Sequence, residues 1–106
     1  MTNERRRAER VRINLDVQWE GVLEKRSGTI SDLSLSGCFI LTDGEVKDNE
    51  LISIEIDVPA MMRLQLWGVV VYSALEIGFA LRFNEMTATE QILLARLIEH
   101  YRAKRA

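Results

Sequence analysis

One cysteine, one histidine and one proline in 106 residues exclude several kinds of protein at the outset. Cys38 alone cannot close an intramolecular disulfide, and no C-x-x-C spacing exists to hold a structural zinc, so neither crosslinks nor metal underlie folding. A reducing, cytoplasmic setting is expected. No apolar run approaches the roughly 18 residues that span a bilayer, and the Arg-rich start is not followed by an apolar secretion segment. Export and membrane insertion are not expected. Catalytic vocabulary is equally sparse: there is no G-x-S-x-G elbow, no G-x-x-x-x-G-K-[ST] phosphate loop and no H-E-x-x-H pair. His100 lies near the end of a helix tail, where a solvated or dipole-stabilised side chain is the simpler reading, and Cys38 opens an apolar strand where an inert buried thiol is. The carboxylate pairs Asp16/Glu20 and Glu55/Asp57 fall on polar faces of alternating strands and read as solvated. An enzyme is therefore set aside.

What is present suits a single small domain. Apolar residues make up 47% and charged residues 28% of the chain, enough for one core and too little length for two. The net charge of -2 conceals a partition. Residues 1–12 hold five arginines against Glu4 and Glu9, and residues 96–106 hold four bases against Glu99, so each end is +3 and residues 13–95 carry -8. An acidic body with basic ends leaves an anionic partner open for the ends.

Period-two alternation dominates the middle. Ile13, Leu15, Val17 and Trp19 alternate with polar residues over 13–20, which is the pattern of a half-buried strand. A weaker strand region follows over 22–30, then one over 38–41 that ends at the Asp43-Gly44 turn signal. Residues 51–58 alternate again and stop at Pro59, and the runs 64–72 and 77–83 flank a short connection as an antiparallel hairpin. After Asn84 the period changes. Thr87-Ala88-Thr89-Glu90 has capping-box spacing, and Leu94, Leu97, Ile98 and Tyr101 recur at helical intervals, predicting a C-terminal helix from about residue 87. About six antiparallel strands and one helix predict a mainly β, six-stranded antiparallel barrel closed or covered by that helix. The division is a flexible Arg-rich arm over 1–12 and the barrel with its helix over 13–106. Trp19 and Trp67 are expected in the core or against the helix, and Met61-Met62 as local apolar cover.

Two constellations remain. Arg6-Arg7-Ala8-Glu9-Arg10 is an R-x-x-x-R whose outer arginines fall on one side of either a helix or a strand, so both can close on one ligand. A guanidinium fork bonds a phosphate or the O6/N7 edge of guanine, and it also stacks on a base. A solvated basic tail is the plainer alternative. Asp32-Leu33-Ser34-Leu35-Ser36-Gly37 is a D-x-S-x-x-G at a strand junction. If it is extended, Asp32 and Ser34 share a face, where a carboxylate accepts guanine N–H groups, a hydroxyl donates to phosphate and Gly37 permits close approach. Ordinary turn chemistry would use the same residues.

Together, in this order and over about residues 4–104, the two motifs resemble the PilZ domain, and Gly78-Phe79-Ala80-Leu81-Arg82-Phe83 is similar to that family's last barrel strand. The resemblance implies a six-stranded PilZ-type barrel with a C-terminal helix and a cyclic di-GMP ligand, with no cofactor and no metal. It places ligand binding on Arg6, Arg10, Asp32, Ser34 and Gly37, with the neighbouring Arg5 in support. It implies a receptor or adaptor that orders its Arg arm over the nucleotide and signals to an unidentified effector protein, with no output domain expected on the chain itself. Two alternatives stand beside it: a PilZ-like adaptor that needs no nucleotide, and a barrel binding single-stranded nucleic acid, which the -8 body disfavours.

Overall fold

The computed structural model describes residues 9–58 and 63–105. Six strands follow in order: β1 (Val11–Glu20), β2 (Lys25–Leu33), β3 (Gly37–Leu41), β4 (Leu51–Asp57), β5 (Arg63–Ala74) and β6 (Gly78–Phe83), with helix α1 (Ala88–Arg105) after them. They close a six-stranded antiparallel barrel, as expected, and its strand order is β1-β2-β3-β6-β5-β4. A short ladder, Val17–Glu20 against Ser53–Ile56, joins β1 to β4 and closes the sheet. The inward set includes Val17, Trp19, Ile30, Ile40, Ile54, Ile56, Leu66, Val70 and Phe79, each at most 2% exposed. Trp19 meets the ring of Phe79 edge-on, with centroids 5.2 Å apart.

Antiparallel order brings the starts of β1, β3 and β5 to one end of the barrel together with the finishes of β2, β4 and β6. Helix α1 follows β6 and covers that end, seating Leu94, Leu97 and Ile98 in the core as the helical spacing predicts. Its first turn is closed by the expected capping box: the Thr87 N–H donates to Glu90 Oε1 at 2.9 Å, and the Glu90 N–H donates to Thr87 Oγ1 at 3.1 Å. At the far end, β3 and β4 are not neighbours, so the segment between them crosses the mouth. The crossing lies on Trp19, whose indole N–H donates to Thr42 Oγ1 at 3.2 Å, and a side chain at Gly44 would collide with that indole ring.

Three expectations need correction. Strand β1 starts at Val11, which is buried, so Val11 and Arg12 belong to the barrel rather than to the arm. Trp67 is 48% exposed and is not part of the core: Leu64 and Leu66 already point inward, and parity turns Trp67 outward. Strand β2 covers Lys25–Leu33 rather than ending at residue 30, so Asp32 lies in it and the D-x-S-x-x-G motif spans the expected strand junction, with a bulge between Ile30 and Asp32. Met61 and Met62 lie outside the described residues.

Candidate functional site

At the helix-covered end, β2 turns into β3 through residues 34–36. Ser34 makes this turn. Its Oγ accepts the N–H groups of Ser36 at 3.1 Å and Gly37 at 3.2 Å, while the Ser34 N–H donates to the Gly37 carbonyl at 2.9 Å. Ser34 is fully buried, so its hydroxyl serves the turn and does not face an incoming phosphate. Gly37 pairs with Arg82 of β6, and a Cβ there would sit on the Leu81 carbonyl oxygen, which makes glycine obligatory for the approach of the two strands. The two residues therefore set the path of the backbone after Asp32.

Asp32 is partly exposed, and across β1 its carboxylate meets Arg10: Nη1 lies 2.6 Å from Oδ1, with side-chain exposures of 57% and 29%. The last residue of R-x-x-x-R and the first of D-x-S-x-x-G, 22 positions apart, are thus in direct contact. Arg5 and Arg6 lie outside the described residues. Beside Arg10, the arm is tied to the helix, because Arg102 Nη2 meets Glu9 Oε1 at 3.0 Å while its Nη1 holds Glu99 at 3.2 Å. Glu9, Arg10, Val11, Arg12 and Arg102 line a recess of about 300 Å³.

The register extends the site sideways. Asp32 pairs with Phe39, Phe39 with Ala80, and Ala80 with Tyr72, so one row runs over β2, β3, β6 and β5. The Phe39 and Tyr72 rings stand 6.1 Å apart, flanking the small Ala80, and Tyr72 is 54% exposed. An ion pair thus opens onto a half-open aromatic shelf.

The PilZ domain model matches residues 4–100, more than nine-tenths of the chain. The chain belongs to the PilZ family. Three solved structures share the fold. The PilZ domain with c-di-GMP of YcgR from Escherichia coli superposes with a TM-score of 0.78 at 17% identity, over 95% of this chain and 94% of that one. The Bacillus subtilis inhibitor of motility MotI/DgrA gives 0.77 at 20% identity over 96% of this chain, which spans 53% of that protein. The PilZ domain of CeSA from a cellulose-synthesizing bacterium gives 0.71 at 13% identity, over 88% of this chain and 97% of that one. Comparison with curated proteins gives no match.

In this PilZ domain the structure brings together Arg10 and Asp32, which the motifs single out, and sets near them Phe39, Tyr72 and Arg102, which the motifs do not. Phe39 stands directly after the motif's Gly37-Cys38 on an alternating strand, a signal that parity offered. Nothing in spacing announces Tyr72 or Arg102, because strand order and a 93-residue separation bring them in. Cys38 lies beneath the site, at 1% exposure, as expected of an inert thiol. Burial pushes its pKa far above the ordinary thiol range, the Asp32 carboxylate pushes the same way, and the Arg10 guanidinium opposes both. The thiolate is suppressed and so is nucleophilic chemistry. No helix among the described residues is long and apolar enough to cross a membrane.

Proposed function

We propose that this PilZ domain is a cyclic di-GMP receptor that converts nucleotide binding into an ordered arm read by a partner protein. The observation that carries the reading is the Arg10–Asp32 contact, which places a guanidinium fork and a carboxylate side by side. Family membership and the likeness to the YcgR PilZ domain with c-di-GMP support the ligand class.

The chemistry divides among the residues as follows. Asp32 accepts N–H groups from the Watson–Crick edge of a guanine, and Arg10 turns from Asp32 to a phosphate or to guanine O6/N7. Arg5 and Arg6 close from the arm as further forked cations. Ser34 and Gly37 act through the turn that aims Asp32, rather than by touching ligand with a hydroxyl. Phe39 and Tyr72 receive a base by stacking, which suits a planar guanine on a half-exposed shelf. Because Glu9 lies within R-x-x-x-R and holds Arg102, closure of the arm pulls on the last turns of α1. That is the route by which a partner senses the nucleotide. The protein acts here without catalysis, and the buried free thiol of Cys38 suits a reducing cytoplasm.

Calorimetric titration with cyclic di-GMP tests the reading. Binding that weakens at least about tenfold in Arg10→Ala and Asp32→Ala is the expected result. Absence of heat at high micromolar ligand rejects it, and tighter, steeply salt-dependent binding of an oligonucleotide would replace it with the nucleic-acid reading.

A further inference from the structure

We propose that the barrel end remote from α1 is a docking surface for a protein segment that is amphipathic and basic, with aliphatic anchors flanked by Lys or Arg. The inference is independent of the nucleotide reading and concerns the opposite end of the molecule.

Three connections meet there: 21–24 between β1 and β2, the crossing 42–50 between β3 and β4, and 75–77 between β5 and β6. Short exposed turns ordinarily carry Gly, Asn, Asp or Ser, which serve turn geometry and meet water well. Here the two hairpins display Val22 at 79% exposure, Leu23 at 67%, Leu75 at 79% and Ile77 at 57%. Four branched aliphatics at two tips contribute little to the core. The β5–β6 turn also carries Glu76 at φ 65°, in the left-handed region that disfavours a long side chain. Residue choice at this end therefore conflicts with local folding preference, the sign of a surface kept for another purpose.

The tips are held on a common mount. Glu50 accepts the Val22 N–H at 2.8 Å with one oxygen and the Lys47 N–H at 2.9 Å with the other. Glu24 accepts the Glu45 N–H at 2.7 Å, and the Thr42 N–H donates to the Ile77 carbonyl at 3.0 Å. Both hairpins are thereby fastened to the crossing between them, so the anchors are presented in a fixed arrangement before any partner arrives. Val22, Leu23 and residues 47–50 line a recess of about 280 Å³ that would accept an aliphatic side chain.

Charge selects the occupant. The crossing carries Asp43, Glu45, Asp48 and Glu50 against Lys47, and Glu76 stands between Leu75 and Ile77; Arg26 of β2 pairs with Asp43 and Glu24, which still leaves this end net acidic. An acidic frame around apolar tips attracts a basic segment, and it repels an anionic lipid surface or a nucleic acid.

The test titrates the isotope-labelled full chain with an 18-residue Leu/Lys amphipathic helical peptide, and separately with a Leu/Glu peptide that has the same apolar face. Amide shifts over 22–24, 45–50 and 75–77 are expected with the Leu/Lys peptide. Affinity should be at least about tenfold weaker for Leu/Glu. The pair Leu23→Ser and Leu75→Ser should cut Leu/Lys binding about tenfold, at unchanged melting temperature and unchanged cyclic di-GMP titration. Shifts absent from this end, equal binding of both peptides, or preference for phosphatidylglycerol vesicles would overturn the proposal. So would concentration-dependent self-association of the chain alone through these residues, which would make a second copy the occupant.

Discussion

At one end of the barrel α1 lays Leu94, Leu97 and Ile98 over the strand termini, whereas at the other the crossing covers Trp19 and packs the partly buried Val46 against the core. The helix satisfies its own backbone, so the end it covers can spend side chains on the surface: Arg10, Asp32 and Arg102 face outward in ion pairs. The crossing has irregular backbone and needs partners. Glu24 and Glu50 supply them by accepting N–H groups, and the same acidity frames the exposed tips. A closed barrel thus has two mouths with different problems, and the solution at each mouth sets which chemistry its surface is free to do.

The largest effects should come from the two plugs. Trp19→Ala removes the floor of the crossing and should cost about 3–5 kcal/mol, and Leu94→Ala at the helix end about 2–5 kcal/mol, both read by urea unfolding. If only one of them destabilises, the picture of two independently plugged mouths fails. Gly37→Ala forces a methyl group onto the Leu81 carbonyl oxygen and should cost more than about 2 kcal/mol, with nucleotide binding lost because Asp32 moves. A stable variant with native affinity would show that this turn does not aim the site.

Asp32→Ala should separate function from stability. Loss of a charge-assisted contact predicts about 10–100-fold weaker cyclic di-GMP binding, while unfolding changes by less than about 1 kcal/mol because the Arg10 pair is exposed. Cys38 gives a pH test of the same end. Its proton is held more tightly in the folded than in the unfolded chain, so its stabilisation is complete below an ordinary thiol value of about 8.5 and falls as pH rises above it. The decline should approach about 1.4 kcal/mol per pH unit and be missing from Cys38→Ala, as measured by urea midpoints at pH 8 and 10. Arg102→Ala should be the mildest, at most about 1 kcal/mol, yet on the proposed function it should reduce the hydrogen-exchange change expected in the last turns of α1 when cyclic di-GMP is added. An unaltered exchange response would break the link from arm to helix.

Much of the fold was legible because its signals are local. Alternation marked β1 and β4, apolar runs between turn signals marked β3, β5 and β6 and more loosely β2, and Thr87 with Glu90 marked the helix start, since a pleat and a cap are set by neighbours two to four residues away. Parity even held the answer to Trp67, which follows the inward Leu64 and Leu66 by an odd step. The site was legible only in its motif residues. Identical letters can mean ligand contact or turn geometry, and burial assigned Ser34 to the turn. The row from Asp32 through Phe39 and Ala80 to Tyr72 needed the order β2-β3-β6-β5, which no strand pattern specifies.

The scarcity of cysteine, histidine and proline, the strand and helix periods, and the two motifs were properties of the sequence alone, because each depends on residue identity or short spacing. Barrel closure decided the rest. It put Arg10 against Asp32, carried Arg102 to Glu9 across 93 positions, turned one tryptophan inward and the other out, and gathered Val22, Leu23, Leu75 and Ile77 at one mouth. Those relations are non-local: they arise when the β1–β4 ladder closes the sheet and every strand's inward face is committed at once.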